Sequence, residues 1–318
     1  YCRSFQDLNL NLANTVLKNI FHKLRLYSIV INYFKLDKRG VKIFDATLKN
    51  SITSKWGEEG TSSFALIDYY FKNRECHITY MPSTSGNYLM SLEFSNIYNS
   101  VSLHLTLNGI YVILNKLFKF ILSVVKSIIN RTIKQNPTPH YSTYYKSDYE
   151  IAFVPHKGLK YGPHFNKTYL YDNDTESIFY KQKLLTLKFN NDSDPVSERF
   201  YRMHKIPNYN IDSKSKKHII SAIYNLIILI NIKPPYFVKP LDVVKNILLS
   251  HIFIAVYNYR KQLCRFSKLK LIYFHFDINV QDAFLIACHL NKIRTISNQE
   301  RPISSTWAHL LIFNHYFI

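Results

Sequence analysis

Hydrophobic and polar positions follow two different periods near the end of the chain. Leu269–Phe276 is a run of aromatic and β-prone residues, typical of a buried strand. Apolar residues then recur at helical spacing over Val280–Leu290. After a break at Asn291–Lys292, the alternating segment Ile293–Ser297 predicts a second strand. This order predicts a strand–helix–strand crossover, the unit of a parallel sheet covered by helices.

A weaker copy of the same pattern lies upstream. It consists of a strand at Leu89–Phe94, a helix at Asn96–Leu107, a break at Asn108–Gly109 and a strand at Ile110–Leu114. Two such units predict an α/β fold with a Rossmann-like parallel sheet and flanking helices.

The middle of the chain differs in composition from both ends. We predict a first α/β segment at 1–131 and a second at 218–318 that completes the same domain. Residues 132–217 are polar, rich in tyrosine and interrupted by six prolines, which predicts a loop-rich insertion or subdomain. A long irregular stretch inside a compact domain is more often functional than structural.

The predicted helix Ile110–Ile129 carries lysines on one face, because Lys116, Lys119 and Lys126 lie three and then seven residues apart. Its pattern favours a helix packed on a core, and an interfacial helix on an anionic membrane is the alternative. The longest apolar run, Ile219–Ile230, is shorter than the roughly 20 residues that a spanning helix needs.

Composition and charge narrow the class of protein. The chain has 318 residues, of which 47% are hydrophobic, so it is too apolar to be disordered. The net charge of +20 attracts anions such as nucleic acid, anionic lipid and nucleotide diphosphates. The basic residues are dispersed and no zinc-finger or RNP-like segment occurs, which disfavours nucleic-acid binding. Four scattered cysteines favour a reducing compartment over a disulfide scaffold or a zinc site.

The two ends of the sequence predict a fragment of a longer protein. Its first residue is Tyr1 rather than Met, and Ile318 stands inside a strand-like apolar run. A degraded reading frame is a further interpretation.

Polar side chains follow both strands of the C-terminal crossover. Asp277 follows the first strand, and Gln299, Glu300 and Arg301 follow the second. Ligands of open α/β sheets bind outside the carboxyl ends of the strands, so these residues are candidates for binding sugar hydroxyls or phosphate and for acid–base catalysis. The alternative is an arginine–carboxylate pair that ties down a loop.

The stretch 154–174, "VPHKGLKYGPHFNKTYLYDND", holds two of the seven glycines. Gly158 and Gly162 allow positive φ and a close approach of the backbone. His156 and His164 are candidate acid–base groups or phosphate partners. The alternative is a tightly folded loop with hydrogen-bonded histidines.

Four segments carry a resemblance to a known family, in the order expected for that family. They are "GVKIFDATLKN", "SNIYNSVSLHLTLNGIYVIL", "FVPHKGLKYGPHFNKTYLYDNDTESIFYKQKLLTLKF" and "FDINVQDAFLIACHLNKIRTISNQERPIS". They resemble proteins of bacterial surface-carbohydrate (lipopolysaccharide and capsule) biosynthesis. The matching positions are His156, Gly158, Tyr161, Gly162, Phe165, Lys167, Tyr171, Asp174, Asp277, Ile293, Thr295, Gln299, Glu300 and Arg301. The chain departs from the pattern at His164, where a small or amide residue is expected, and in its loss of glycines.

The resemblance implies a glycosyltransferase of the GT-B type, with two facing Rossmann-like domains. This chain would be the N-terminal domain, and a second domain with most of the donor site would follow it. The implied reaction transfers a sugar from a nucleotide-diphospho-sugar to a lipid-linked or oligosaccharide acceptor, without a protein-bound metal or other cofactor. The implied location is the cytoplasm, at the inner face of the plasma membrane.

The same resemblance assigns roles to individual residues. It implies Asp277 or Glu300 as base or sugar ligand, and Arg301 for an anionic acceptor group. It also implies His156 or His164 near the acceptor, with His156, Tyr161 and Lys167 facing the cleft that holds Asp277 and Glu300. A non-catalytic, membrane-peripheral protein of envelope assembly and a basic nucleic-acid-binding protein remain the rival hypotheses.

Overall fold

The computed structural model of the chain describes residues 14–15, 17–53, 76–80, 101–105, 115, 118, 122, 149–155, 184–189, 199, 201–203, 205–213, 216–232, 240–274, 282–298 and 314–317. The chain divides into two compact units. Unit 1 comprises Tyr1–Thr132, Ile223–Phe253 and Ile303–Ile312, and unit 2 comprises Ile133–Ala222, Ile254–Pro302 and Phe313–Ile318. This division is discontinuous in sequence, whereas the sequence analysis divides the chain into consecutive segments.

The described helices are α1 (Arg25–Phe34), α2 (Lys38–Thr53), α3 (Lys216–Ile232), α4 (Pro240–Leu263) and α5 (Asp282–Leu290), with a π-helical turn at Leu17–Phe21 before them. The described strands are β1 (Cys76–Tyr80), β2 (Val101–Leu105), β3 (Ile151–Val154), β4 (Leu185–Phe189), β5 (Asn208–Ile211), β6 (Leu271–Phe274), β7 (Arg294–Asn298) and β8 (His315–Phe317).

Unit 2 is built on a six-stranded sheet in the order β5-β4-β3-β6-β7-β8, and all five pairings are parallel. Counted along the chain within the sheet, this order reads 3-2-1-4-5-6, which is found in doubly wound α/β sheets. All five residues of β4 are buried, as expected for a strand of a parallel sheet covered on both faces. The prediction of an α/β fold with a parallel sheet and flanking helices is confirmed.

The predicted C-terminal crossover is present as β6, α5 and β7, and the two strands pair in parallel. The break between helix and strand is a tight cap at Lys292, whose φ is 57°. The Ile293 N–H donates to the Cys288 carbonyl at 2.9 Å, and the Lys292 N–H donates to the His289 carbonyl at 3.0 Å. This pair of bonds is the Schellman arrangement, which ends a helix and satisfies its last carbonyl groups.

Two sequence predictions require correction. The predicted helix Asn96–Leu107 is wrong over Val101–Leu105, which forms β2 and pairs in parallel with β1. Apolar and polar residues alternate in this segment, and that two-residue period is the strand signal. The predicted loop-rich insertion 132–217 is not confirmed, because β3, β4 and β5 all lie within it.

The two faces of the unit 2 sheet are packed differently. On one face, Phe189 of β4 and Phe274 of β6 meet Tyr259 of α4 and Phe284 of α5, with ring centroids 4.9–6.1 Å apart in edge-to-face arrangements. Such geometry adds to the hydrophobic stabilisation of a core. On the other face, Phe153 stacks on Tyr273 at 5.8 Å, since the two residues are register partners in β3 and β6.

Unit 1 contains α1, α2 and the β1–β2 pair. The Tyr27 hydroxyl donates to Asp45 Oδ1 at 2.6 Å, which ties α1 to α2, and His22 Nε2 lies 3.3 Å from the same oxygen. Phe34 of α1 packs against Phe253 of α4 with ring centroids 5.0 Å apart. Among the described residues of unit 1, the packing therefore joins helices, and a polar cluster lies at the α1–α2 junction.

Among the described residues, no helix has both the length and the apolar composition required to cross a membrane.

Candidate functional site

The carboxyl edge of the unit 2 sheet contains a point at which the strand order reverses. The chain proceeds from β3 to β4 on one side and from β6 to β7 on the other, while β3 and β6 are themselves neighbours. Connections that leave adjacent strands in opposite directions open a crevice outside their carboxyl ends, where ligands of doubly wound sheets bind. Val154 and Phe274 are register partners at this point, on strands about 4.8 Å apart.

The predicted site residues follow the strands that meet at this edge. His156 comes two residues after the end of β3, and Asp277 comes three residues after the end of β6. Gln299, Glu300 and Arg301 directly follow β7, the next strand in the sheet. The carboxyl ends of β3, β6 and β7, from which these three groups of residues continue, therefore lie at one edge of one sheet.

The remaining predicted residues belong to the β3–β4 connection, which also starts at the crevice. These are Gly158, Tyr161, Gly162, His164 and Lys167. Together with His156, Asp277, Gln299, Glu300 and Arg301, they lie outside the described residues. Their assignments therefore stay predictions, supported by the strands that lead to them.

The carboxyl end of β5 is fixed by a polar clamp from α4. Gln262 Oε1 accepts from the Asp212 N–H at 3.1 Å, and Gln262 Nε2 donates to the Asp212 carbonyl at 2.7 Å. One turn earlier, Asn258 Nδ2 donates to the Ser213 carbonyl at 2.6 Å. The two amides take the place of a neighbouring strand at the end of an edge strand, so Asp212 and Ser213 are held in position.

Sequence reasoning missed this clamp. A local signal exists, because Asn258 and Gln262 are amides four residues apart and therefore share one side of α4. Their partners lie 45 and 50 residues away in sequence, and no periodicity within the helix indicates which backbone they bind.

The Tyr259 hydroxyl and the Oδ1 atom of Asn258 also lie near the carboxyl end of β5. Burial raises the pKa of Tyr259 above its ordinary range, and the nearby Asp212 carboxylate adds to the rise, so Tyr259 keeps its proton at neutral pH. Asn258 is fully buried and its Oδ1 has no hydrogen-bond partner. The carboxyl end of β5 therefore combines a carboxylate, a neutral phenol and a buried acceptor oxygen.

A buried lysine lies on the opposite face of the same sheet. Lys188 is the penultimate residue of β4, and its Nζ is 5.3 Å from the ring centroid of Tyr201. A cation above an aromatic face is attracted by the ring quadrupole, and the attraction strengthens away from water. Lys188 therefore places a positive charge inside the layer that covers β4.

In unit 1, the side chains with shifted pKa values surround the Asp45 carboxylate. Burial lowers the pKa of Lys49, and the Asp45 carboxylate one turn away partly opposes that effect. Burial also raises the pKa of Tyr27, and its hydrogen bond to Asp45 raises it further. Both groups surround a carboxylate that joins two helices, which is a structural role.

Within the described ranges, no three side chains of His, Cys, Asp or Glu come together in a group that could hold a metal ion.

Comparisons of the chain with protein-family models, with curated proteins and with solved structures find no match.

Proposed function

We propose that the chain is a glycosyltransferase-like protein of cell-surface polysaccharide biosynthesis. In this proposal it transfers a sugar from a nucleotide-diphospho-sugar to a lipid-linked or oligosaccharide acceptor. The same proposal includes a GT-B-type fold, with two facing Rossmann-like domains. It also includes a location at the inner face of the plasma membrane.

One observation carries the proposal. Three segments singled out in the sequence follow β3, β6 and β7, which are consecutive strands of one parallel sheet. The β3–β6 pairing joins residues 120 positions apart, and it was not part of the prediction that selected His156 and Asp277. The strand-order reversal at this pairing is the position at which doubly wound sheets bind nucleotides.

The proposed chemistry is a displacement at the anomeric carbon. Asp277 or Glu300 accepts the proton of the acceptor hydroxyl, whose oxygen forms the new bond to the sugar. The bond between the sugar and the diphosphate breaks, and the nucleoside diphosphate leaves with both electrons. Arg301 and His156 stabilise negative charge on the acceptor or on the leaving group.

The test measures release of nucleoside diphosphate by the full-length protein, with the second domain that the resemblance implies, from a panel of nucleotide-diphospho-sugars, with and without oligosaccharide acceptors. Asp277→Asn and Glu300→Gln remove a proton acceptor with little change of shape. The variant of the true base is expected to lose about 10²–10⁴-fold in rate, which is the usual contribution of a general base.

A matched control stands at the opposite edge of the sheet. Glu150 immediately precedes β3 and forms an exposed ion pair with Lys270 at 3.1 Å. Glu150→Gln is expected to leave the rate unchanged, since exposed ion pairs contribute little. Equal losses in Glu150→Gln and Glu300→Gln would contradict the proposal, as would failure of the full-length protein, with the second domain that the resemblance implies, to release nucleoside diphosphate from any nucleotide-sugar. Salt-dependent binding to any polynucleotide would instead favour the nucleic-acid rival.

A further inference from the structure

Basic side chains gather at the amino edge of the unit 2 sheet, opposite the carboxyl edge that leads to the candidate site. β6 begins at Leu271 and β7 begins at Arg294, and these two residues are register partners on parallel strands about 4.8 Å apart. The exposed basic residues at the start of these two strands and in the turns before them are Arg265, Lys268, Lys270, Lys292 and Arg294. Two segments that α5 separates in the sequence therefore bring their charges to one edge.

Hydrogen bonds hold the two basic segments together. The Cys264 Sγ donates to Asn291 Oδ1 at 3.1 Å, which joins the end of α4 to the turn after α5. The Arg294 N–H donates to the Lys270 carbonyl at 2.8 Å, which joins the starts of the two strands. The backbone that carries the basic residues is thus tied by contacts of the fold, so their proximity is determined by the sheet.

Acidic residues are scarce at the same edge. Glu150 immediately precedes β3, and its carboxylate lies 3.1 Å from Lys270 Nζ, so these two charges offset each other. The other acidic residues that the structure describes in unit 2 are Asp212, after the end of β5, and Asp282, at the start of α5. Both belong to segments that leave the carboxyl edge of the sheet. The described side chains of the amino edge at β3, β6 and β7 therefore carry an excess of positive charge, which attracts an anionic partner.

The apolar side chains of the two segments indicate which class of anion fits. Phe266, Leu269 and Ile293 stand between the basic residues in the sequence, and all three are buried. In the two described segments, 264–270 and 291–294, no large apolar side chain is exposed. A helix bound at a membrane interface inserts apolar side chains, and single-stranded nucleic acid stacks its bases on exposed aromatic rings. A chain of acidic sugars requires neither, and the guanidinium groups of Arg265 and Arg294 have the planar geometry that matches a carboxylate.

We propose that unit 2 binds an acidic polysaccharide through its amino-edge patch, defined as Arg265, Lys268, Lys292 and Arg294. The guanidinium groups pair with sugar carboxylates, and the ammonium groups add attraction along the polymer. Each exposed contact is weak, but a repeating polymer offers many carboxylates, so the contacts reinforce one another. The choice of a polysaccharide rests on the proposed function, in which the protein extends such a chain. Binding at the amino edge leaves the carboxyl edge open for the transfer reaction.

The experiment measures binding of the full chain to immobilised alginate, a polymer of uronic acids, with dextran as the neutral polymer. The wild-type chain is expected to bind alginate and to dissociate as salt is raised, because charge attraction is screened. The double variant Lys292→Gln/Arg294→Gln is expected to bind about tenfold more weakly, since it removes two exposed ionic contacts. Arg265→Gln/Lys268→Gln removes the charges of the other segment and should weaken binding by a similar factor.

Lys38→Gln/Arg39→Gln provides the matched control. Both residues are exposed at the start of α2, so the variant removes one lysine and one arginine from unit 1 instead of unit 2. It is expected to bind alginate like the wild type. Urea unfolding of all three double variants separates lost binding from lost stability, because cations near the last carbonyls of a helix also stabilise that helix.

Several outcomes would overturn the inference. Equal binding of the wild type to alginate and dextran, or an equal loss in Lys38→Gln/Arg39→Gln, would remove the patch as a specific surface. Lower stability with unchanged binding in both patch variants would show that the cations serve the ends of α4 and α5. Tighter binding to duplex DNA or to vesicles containing phosphatidylserine, weakened by the same variants, would assign the patch to nucleic acid or to lipid.

Failure of this inference is distinct from failure of the proposed transfer reaction. The binding measurement contains no donor, and Asp277→Asn and Glu300→Gln are expected to bind alginate like the wild type. Release of nucleoside diphosphate by a protein that does not bind alginate would overturn the inference alone. Binding through the patch by a protein that releases no nucleoside diphosphate would contradict the transfer reaction alone.

Discussion

Unit 1 and unit 2 use polar side chains for different purposes. In unit 2, Gln262 and Asn258 bind backbone groups just beyond a strand, so they determine where the chain goes after β5. In unit 1, Tyr27 and His22 both contact the Asp45 carboxylate, so polar side chains join two helices to each other. Backbone at the edge of a sheet needs partners from outside, whereas a helix satisfies its own backbone.

The parallel sheet of unit 2 favours a catalytic site at its carboxyl edge. A parallel sheet gathers loops at its carboxyl edge, and each clamp that fixes a loop also fixes the side chains on it. In unit 1 the side-chain contacts among the described residues join helices rather than the ends of strands. The candidate catalytic residues follow strands of unit 2, whereas four of the five large apolar side chains that are exposed among the described residues belong to unit 1.

The largest effect is expected from breaking the clamp of unit 2. Gln262→Leu keeps the size of a side chain that is almost fully buried and leaves the Asp212 N–H and carbonyl without their partners. Both bonds are part-buried, and partly buried backbone groups that lose their partners are costly, so the free energy of unfolding should fall by about 1–3 kcal/mol. Urea unfolding measures this loss.

The adjacent variant Lys261→Gln serves as control for Gln262→Leu, because Lys261 is exposed on the same helix. It should change the stability by less than about 0.5 kcal/mol. If Gln262→Leu were equally harmless, the clamp would be a consequence of the β5 conformation rather than a cause of it.

The crossover β6–α5–β7 was predictable because its signals are local. The change from a strand pattern to helical spacing and back falls within thirty residues, so Asp277, Gln299, Glu300 and Arg301 could be assigned to one edge from sequence. The strand that leads to His156 is β3, and its place beside β6 is set by a pairing between segments that are distant in the sequence. Pairing between distant strands is set by packing of the whole sheet, and β3 and β5 are only four residues long.

The polar cluster around Asp45 in unit 1 should make the stability of the folded chain fall at alkaline pH. Burial and the hydrogen bond to Asp45 raise the pKa of Tyr27 above the ordinary value of about 10. The folded chain therefore keeps a proton that the unfolded chain loses. Stability from Tyr27 is complete below about pH 10 and is lost progressively above it.

Tyr27→Phe tests this directly. It should cost about 1–2 kcal/mol at neutral pH, because the hydrogen bond to a carboxylate is lost. It should also make the decline of stability above about pH 10 shallower, since one of the groups that causes it is gone. Urea midpoints across this pH range measure both effects. The matched variant in unit 2 is Tyr259→Phe, and an unchanged alkaline slope in both variants would contradict the assignment.

The smallest change in stability is expected at a feature that both units share, a lysine with positive φ at the end of a helix. Three described residues other than glycine have positive φ, and all three are lysines that end helical segments: Lys35 in unit 1 and Lys205 and Lys292 in unit 2. In each case the next residue donates its N–H to a carbonyl five positions earlier, as in Leu36 to Ile31. Glycine is favoured at this position because a Cβ costs energy in the left-handed region. The chain has only seven glycines, so the usual sequence signal for these helix ends is missing.

Lys292→Gly should therefore stabilise unit 2 by about 0.5–1 kcal/mol, and Lys35→Gly should do the same for unit 1. The control is Lys261→Gly, placed in the last turn of α4, which should destabilise because glycine is a weaker helix former than lysine. Opposite signs at the cap and in the helix would show that backbone conformation, rather than loss of a lysine charge, determines the result. A loss of stability in Lys292→Gly would mean that the lysine interacts favourably with the end of α5, since a cation near the last carbonyls opposes the benefit of glycine.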